Sequence, residues 1–213
     1  MTESAPTRLN FTSPVNYRIL RAILTSKSPF LQTQLATEVA AHVSQVNTIT
    51  QWLEAHHHLL RHRSDGTYEV TQPAGLVMAM FPYQRIMSHA LVRTVKVDKN
   101  IDEVIRVLTE QGATLCLESA LALYSGYFRP DRVAVYHPKP KDLLAKILPN
   151  EGGVLPISVY GIDIPLEGDT LEPDGSIPVR RTSRFRTLID LVCDNRAYAA
   201  KDLFAELWGV IIG

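Results

Sequence analysis

Between residues 14 and 55 the apolar positions recur at three- and four-residue spacing, the period of helices that bury one stripe. Val15, Ile19, Leu20, Ile23 and Leu24 define a first helix, with Ser13 as a capping hydroxyl and Pro14 at the tolerated first position. Pro29 closes it. The stretch "FLQTQLATEVA" predicts a short second helix with Leu31, Leu35 and Val39 inward. After a bend at Ala41 and His42, Ser44 offers a second cap, and Val46, Ile49, Trp52 and Leu53 describe a third helix running to about His57. The pattern then turns from helical to extended. Two strand-like runs flank Asp65-Gly66 in "LLRHRSDGTYEV", the sequence signal of a β-hairpin. Residues 2–12 are polar and aperiodic, which reads as a loose arm.

Beyond residue 72 the character changes. "QPAGLVMAMFPYQRIMSHALVRTVKVDKN" opens with Pro and Gly, gathers Met78, Met80 and Met87, and breaks at Pro82. It reads as a connecting helix or strand followed by an extended run "ALVRTVKV", with the methionines as core filler. "IDEVIRVLTEQG" predicts an amphipathic helix with Ile101, Val104, Ile105 and Leu108 inward and Gly112 as its stop. "TLCLESALALYSGYF" reads as a mostly buried helix, "RVAVYHP" as a strand and "PKDLLAKILP" as a short helix opening on proline. "VLPISVYGIDIPL" supplies one or two strands, "DGSIPVRR" another, and "TSRFRTLIDLV" and "AYAAKDLFAELWGV" two closing helices. Helices and strands mix without the regular alternation of a doubly wound sheet. The expected fold class is therefore α+β in two domains: residues 1–75, a linker over 76–100, and a mixed domain over 101–213.

Composition narrows the function classes. With 213 residues, 46% hydrophobic, 21% charged and a formal net charge of zero, the chain folds rather than staying disordered. It is also not suited to coating nucleic acid without specificity, although a local basic face stays open. Cys116 and Cys193 sit apart inside apolar runs, the pattern of buried thiols rather than of a disulfide framework or a zinc cluster. No secretory pattern opens the sequence and no run of eighteen apolar residues occurs, so a cytoplasmic protein without membrane contact is expected.

The third helix carries the first candidate chemistry. Its outward positions Ser44, Gln45, Asn47, Thr48, Thr50 and Gln51 are amides and hydroxyls, where a solvated face usually carries Glu and Lys. Such groups donate and accept, which suits base edges and phosphates, whereas carboxylates would be repelled by a polyanion. Arg61, His62 and Arg63 lie beside the hairpin turn, within reach of a DNA backbone. The candidate DNA-binding set is Ser44, Gln45, Asn47, Thr48, Gln51, Arg61, His62 and Arg63. His56, His57 and His58 point about 100° apart on a helix and cannot converge on one metal ion. One of them is expected to stand where such helices commonly end in glycine.

Three helices followed by a hairpin, with Leu53, Glu54, Leu59 and Leu60 at the junction, resemble the winged helix-turn-helix DNA-binding domains of prokaryotic regulators over Pro14 to Thr71. The same fold also serves as a protein-docking module. Six Lys and Arg (Arg8, Arg18, Arg21, Lys27, Arg61, Arg63) face five acids (Glu3, Glu38, Glu54, Asp65, Glu69) in this part, so a homodimer reading two half-sites, or a second basic surface, is expected.

Further on, "ATLCLESALALYSGYF", the strands and helix after it, and "PVRRTSRFRTLIDLV" resemble the AbiEi family of type IV toxin-antitoxin antitoxins and related regulators. The carrying segments are a helix over Leu115 to Tyr124, and Val179 to Leu191 with Thr187, Leu188, Ile189 and Asp190 like the family's "R-T-L-x-D-L". The resemblance implies a winged helix followed by an α/β domain like a degenerate nucleotidyltransferase. It also implies a repressor that binds double-stranded DNA at its own promoter and pairs with a cognate toxin.

Nucleotidyl transfer itself needs a Gly-Ser turn and paired carboxylates on magnesium. Here Ser125 and Gly126 stand in reverse order, and Pro165 occupies the place of a partner for Asp163. Asp169 and Asp174 lie among turn residues beside Gly168 and Gly175. No nucleophile elbow occurs around Ser119, Ser125 or Ser158. No catalytic residue, metal or cofactor is expected. Arg180, Arg181, Arg184 and Arg186 open a helix, either as a solvated start paired with carboxylates or as an anion site. The alternatives to a DNA-binding regulator are a protein-interaction module built on the winged helix and a nucleotide-acting enzyme in the second domain.

Overall fold

The computed structural model describes residues 13–80, 91–125, 128–147, 152–162, 170–171 and 179–211. It is a mixed α+β structure that divides into two compact units, Met1–Ala79 and Met80–Gly213. Among the described residues it has nine α-helices, and none is long and apolar enough to cross a membrane.

The first unit runs α1 (Pro14–Thr25), α2 (Gln32–Glu38), α3 (Val43–Ala55), β1 (Leu59–Arg61), β2 (Tyr68–Val70) and α4 (Pro73–Met80). Its core is the stripe expected from spacing: Ile19, Leu20, Ile23 and Leu24 meet Leu35, Val46, Ile49, Trp52 and Leu53, joined by Leu76 and Val77 of α4. Each fully buried aliphatic side chain contributes about 1.5–3 kcal/mol, which outweighs the weak helix propensity of Val, Ile and Thr in α3. Pro14 takes the first helical position, but the Ser13 side chain makes no capping hydrogen bond. The start of α3 also differs from expectation. His42, not Ser44, is its N-cap: the imidazole Nδ1 accepts from the Ser44 N–H, and Gln45 Oε1 accepts from the His42 N–H.

Helices α2 and α3 both end on a non-glycine residue in the left-handed region, Ala40 (φ 50°) and His57 (φ 62°). The Ala41 N–H closes on Ala36 O, and the His58 N–H on Leu53 O. This is the Schellman closure that normally selects glycine. His57 is therefore the histidine at the glycine position.

In the second unit, β3 (Leu91–Val97), α5 (Ile101–Glu110), β4 (Thr114–Leu115), α6 (Leu117–Leu121), β5 (Val133–Tyr136), α7 (Pro140–Lys146), β6 (Leu155–Tyr160), β7 (Thr170–Leu171), β8 (Arg181–Thr182), α8 (Arg184–Cys193) and α9 (Lys201–Trp208) follow, with a 3-10 turn over Ala197–Ala200 before α9. The sheet has the order β3-β6-β5-β4-β8-β7 and is mixed: β5 pairs parallel with β6 and β4 with β8, and the other neighbours are antiparallel. Alternate residues point to opposite faces. Val95, Val97, Val133, Val135, Ile157 and Val159 join Val104, Leu108 and Leu143 of α5 and α7 in one apolar cluster. On the other face Tyr136 reaches α8, its hydroxyl donating to Asp190 Oδ1 at 2.9 Å.

One expectation is corrected here. "TLCLESALALYSGYF" is not one helix from Leu115 to Tyr124: Thr114 and Leu115 are strand, Cys116 is the N-cap, and only Leu117–Leu121 is helical. An apolar run this short fits a buried strand as well as a buried helix, and pairing with β5 and β8 decided it. Within the segment 76–100, the end of α4 (to Met80) and β3 (Leu91–Val97) stand where a connecting helix or strand and an extended run are expected. Cys116 and Cys193 are buried and not joined in a disulfide.

Candidate nucleic-acid interface

The candidate site lies wholly in the first unit. The stripe Val46, Ile49, Thr50, Trp52 and Leu53 fixes α3 against α1 and α2, so Ser44, Thr48 and Gln51, one turn apart on the opposite side, are exposed. No carboxylate interrupts that stripe; Glu54, the one acid of the helix, lies off it and is half-buried. The Thr48 hydroxyl donates to Ser44 O at 3.0 Å, and the Ser44 hydroxyl lies 2.7 Å from His42 Nδ1. Both oxygens keep acceptor capacity. Gln51 projects from the middle of the face.

Three members of the expected polar set do other work. Thr50 is fully buried and its hydroxyl donates to Val46 O. Asn47 is half-buried, and its Oδ1 accepts from Gln32 Nε2 at 3.2 Å. Gln32 also donates to Thr50 Oγ1, so one side chain of α2 fastens α3 at two points. Asn47 is therefore corrected from an outward group to a helix-packing one. Gln45 is exposed but engaged in the capping box with His42. Neither Gln32 nor His42 was singled out from the sequence, because nothing in local spacing shows which polar residue a neighbouring helix will claim.

The hairpin closes against the helices through Phe30. Its backbone N–H donates to Tyr68 O at 2.9 Å and its carbonyl accepts from the Tyr68 N–H at 2.8 Å, so a third extended segment joins β1 and β2. Phe30 and Tyr68 stack with centroids 6.1 Å apart, and the Arg61 guanidinium sits 5.8 Å from the Tyr68 centroid. Arg61↔Tyr68 is the last strand pair, so the loop spans His62 to Thr67 rather than a two-residue Asp-Gly turn. Gly66 (φ 72°) supplies the left-handed position, and Asp65 Oδ1 accepts from both the N–H and the hydroxyl of Thr67. Those two donors hold the Asp65 carboxyl below the usual carboxylate range. Arg61 and Arg63 are exposed, whereas His62 Nε2 lies 3.0 Å from Glu69 Oε2 across the strands.

The arginine run of the second unit does not form an anion cradle. Arg186 is fully buried, its Nε donating to Asp190 Oδ1 at 2.7 Å and its Nη2 to the Tyr136 hydroxyl at 3.0 Å. Arg184 Nε pairs with Glu206 at 2.6 Å, and Arg181 Nη1 donates to Leu123 O. Arg181 and Arg184 also lie over Tyr124, their guanidinium carbons 4.1 and 4.7 Å from its centroid. Arg180 is exposed. Successive residues at a strand-to-helix junction point in different directions, so the four charges divide between the interior (Arg186), the Tyr124 ring (Arg181 and Arg184) and the surface (Arg180). Asp163, Asp169 and Asp174 lie outside the described residues. Among the described residues no group of three or more His, Cys, Asp and Glu could hold a metal ion.

Compared with family models, with characterised proteins and with solved structures, the chain finds no match.

Proposed function

We propose that the chain is a sequence-specific DNA-binding transcriptional regulator whose first unit is a winged helix-turn-helix. One observation carries this reading: α3 exposes an uncharged hydrogen-bonding stripe of Ser44, Thr48 and Gln51, free of carboxylates, in the same unit as a hairpin with exposed Arg61 and Arg63. In this reading α3 enters the major groove, the stripe meets base edges, and the hairpin arginines meet phosphates. Asn47 and Gln45 hold the helix rather than read bases. The resemblance to AbiEi-type antitoxins supports a repressor that acts at its own promoter, with the second unit serving dimerisation, a toxin partner or an effector.

The test is a gel shift with the DNA upstream of the chain's own reading frame at about 50 and about 200 mM salt. Arg61→Ala with Arg63→Ala is expected to weaken binding to every sequence and to flatten the salt slope by about 2. Gln51→Ala is expected to alter preference between sequences while leaving that slope. A chain that shifts no duplex at either salt concentration is not this regulator, and the protein-docking alternative then takes its place.

A further inference from the structure

The seven histidines of the chain are unevenly placed: His42, His56, His57, His58 and His62 fall within 21 residues, around α3 and its hairpin. Among the described residues they form no group that could hold a metal ion, and a core does not need them, since His42, His56 and His57 are exposed and His58 and His62 half-buried. The unit carries six Lys and Arg against five acids, a small positive charge for a polyanion-binding surface. We propose, resting on the DNA-binding reading above, that these histidines make the interface proton-gated: mild acid converts a nearly neutral face into a strongly cationic one and tightens its grip on DNA.

The geometry gives each ring a different part. The His42 ring meets Ser44 and caps α3 through Nδ1, while its backbone N–H donates to Gln45 Oε1. A proton there removes the acceptor for the Ser44 N–H, turns Nδ1 into a donor towards Ser44 Oγ, and places a cation at the foot of the exposed stripe, beside a helix end that itself favours an anion. His62 faces Glu69 at 3.0 Å, feels Asp65 within its own loop, and is flanked by Arg61 and Arg63. Protonated, it offsets Glu69, the acid that otherwise weakens the field of the hairpin arginines. His56 stacks on Trp52 at 3.9 Å with Nδ1 2.7 Å from the Trp52 carbonyl, and its ring is exposed. His57 stands exposed at the helix end. His58 is the exception: burial and the neighbouring His56 and His57 hold its pKa below the ordinary histidine value. His42, His56, His57 and His62 are the rings that bear the gate, three exposed and one half-buried around α3 and its hairpin.

Each added cation that meets a phosphate steepens the dependence of log K on log salt by about 0.9. With two or more of the four meeting phosphates, affinity for a duplex of about 30 base pairs of mixed sequence is expected to rise at least about ten-fold from about pH 7.5 to about pH 6, with a slope steeper by about 2. The comparison chain carries His42→Asn, His56→Gln, His57→Asn and His62→Gln; asparagine is a good N-cap at 42 and tolerates the left-handed backbone at 57. Fluorescence anisotropy at both pH values, with circular dichroism to verify folding, is expected to show the affinity ratio of this chain falling below about two-fold. A wild-type ratio near one overturns the proton gate and leaves the DNA reading standing. A comparison chain as pH-sensitive as wild type overturns the assignment to these histidines. No binding at either pH overturns both readings. Should the four-fold variant fail to fold, the wild-type salt slope at the two pH values decides alone, and equal slopes overturn the proposal.

Discussion

Replacing Arg186 by methionine removes a charge from the interior of the second unit while keeping most of the side-chain volume. Arg186 has no exposed surface and Asp190 is 2% exposed, so neither charge is solvated by bulk water. The guanidinium binds Asp190 Oδ1 at 2.7 Å and the Tyr136 hydroxyl at 3.0 Å, and lies 5.1 Å from the Tyr136 ring centroid. Deleting one partner of such a pair leaves a buried carboxylate without its counter-ion, a cost of about 3–5 kcal/mol. Arg186→Met together with Asp190→Leu removes both charges, which is commonly neutral or stabilising, and leaves the Tyr136 hydroxyl short of partners at about 1 kcal/mol. The double variant is therefore expected within about 2 kcal/mol of the parent, well above the single one. Urea unfolding followed by the fluorescence of Trp208, which packs on Phe185 and Phe204, reports this unit once Trp52 is replaced by Phe. The deficit of Arg186→Met should also shrink as the pH falls, because an apolar site favours the protonated carboxyl. A single variant that loses under about 1 kcal/mol, or a double variant as weak as the single, refutes the claim that the pair is held together by mutual neutralisation.

Two further substitutions test backbone arguments. Ala40→Gly is expected to stabilise the first unit by about 0.5–1 kcal/mol, since Ala40 holds a left-handed backbone (φ 50°) that glycine adopts without the Cβ clash; a lower melting temperature would contradict it. Gly153→Ala is expected to cost about 1–3 kcal/mol, because a Cβ there would lie 2.6 Å from the Val97 carbonyl carbon. Faster hydrogen exchange along β3, which pairs with β6 beside this contact, is the accompanying sign, and unchanged exchange and stability would show that the backbone yields freely.

The helices of the first unit were legible because each buries a stripe whose period is local: Ile19, Leu20, Ile23 and Leu24, then Val46, Ile49, Trp52 and Leu53, are interior as their spacing implies. The exposed stripe of Ser44, Thr48 and Gln51 follows from the same period. Asn47 and Thr50 were not separable from it, since both are polar and only the approach of Gln32 from α2 draws them inward. The hairpin position was readable from Asp65-Gly66, but its loop length was not: Phe30, more than thirty residues upstream, pairs with Tyr68 and so helps set where the strands end. In "TLCLESALALY" local pattern gave no decision between strand and helix.

What the amino-acid order determined by itself is the succession of the first three helices and the hairpin, the buried stripe of those helices, and the crowding of histidines between positions 42 and 62. Those properties depend on neighbours a few residues away, within the reach of one helical turn or one hairpin. Only the tertiary structure decided the mixed strand order of the sheet, the interior place of Arg186 beside Asp190 and Tyr136, and the role of His42 as a cap. Each of these depends on a cost of desolvation or an unsatisfied backbone group, and the partner that meets it is chosen by how the chain packs in space.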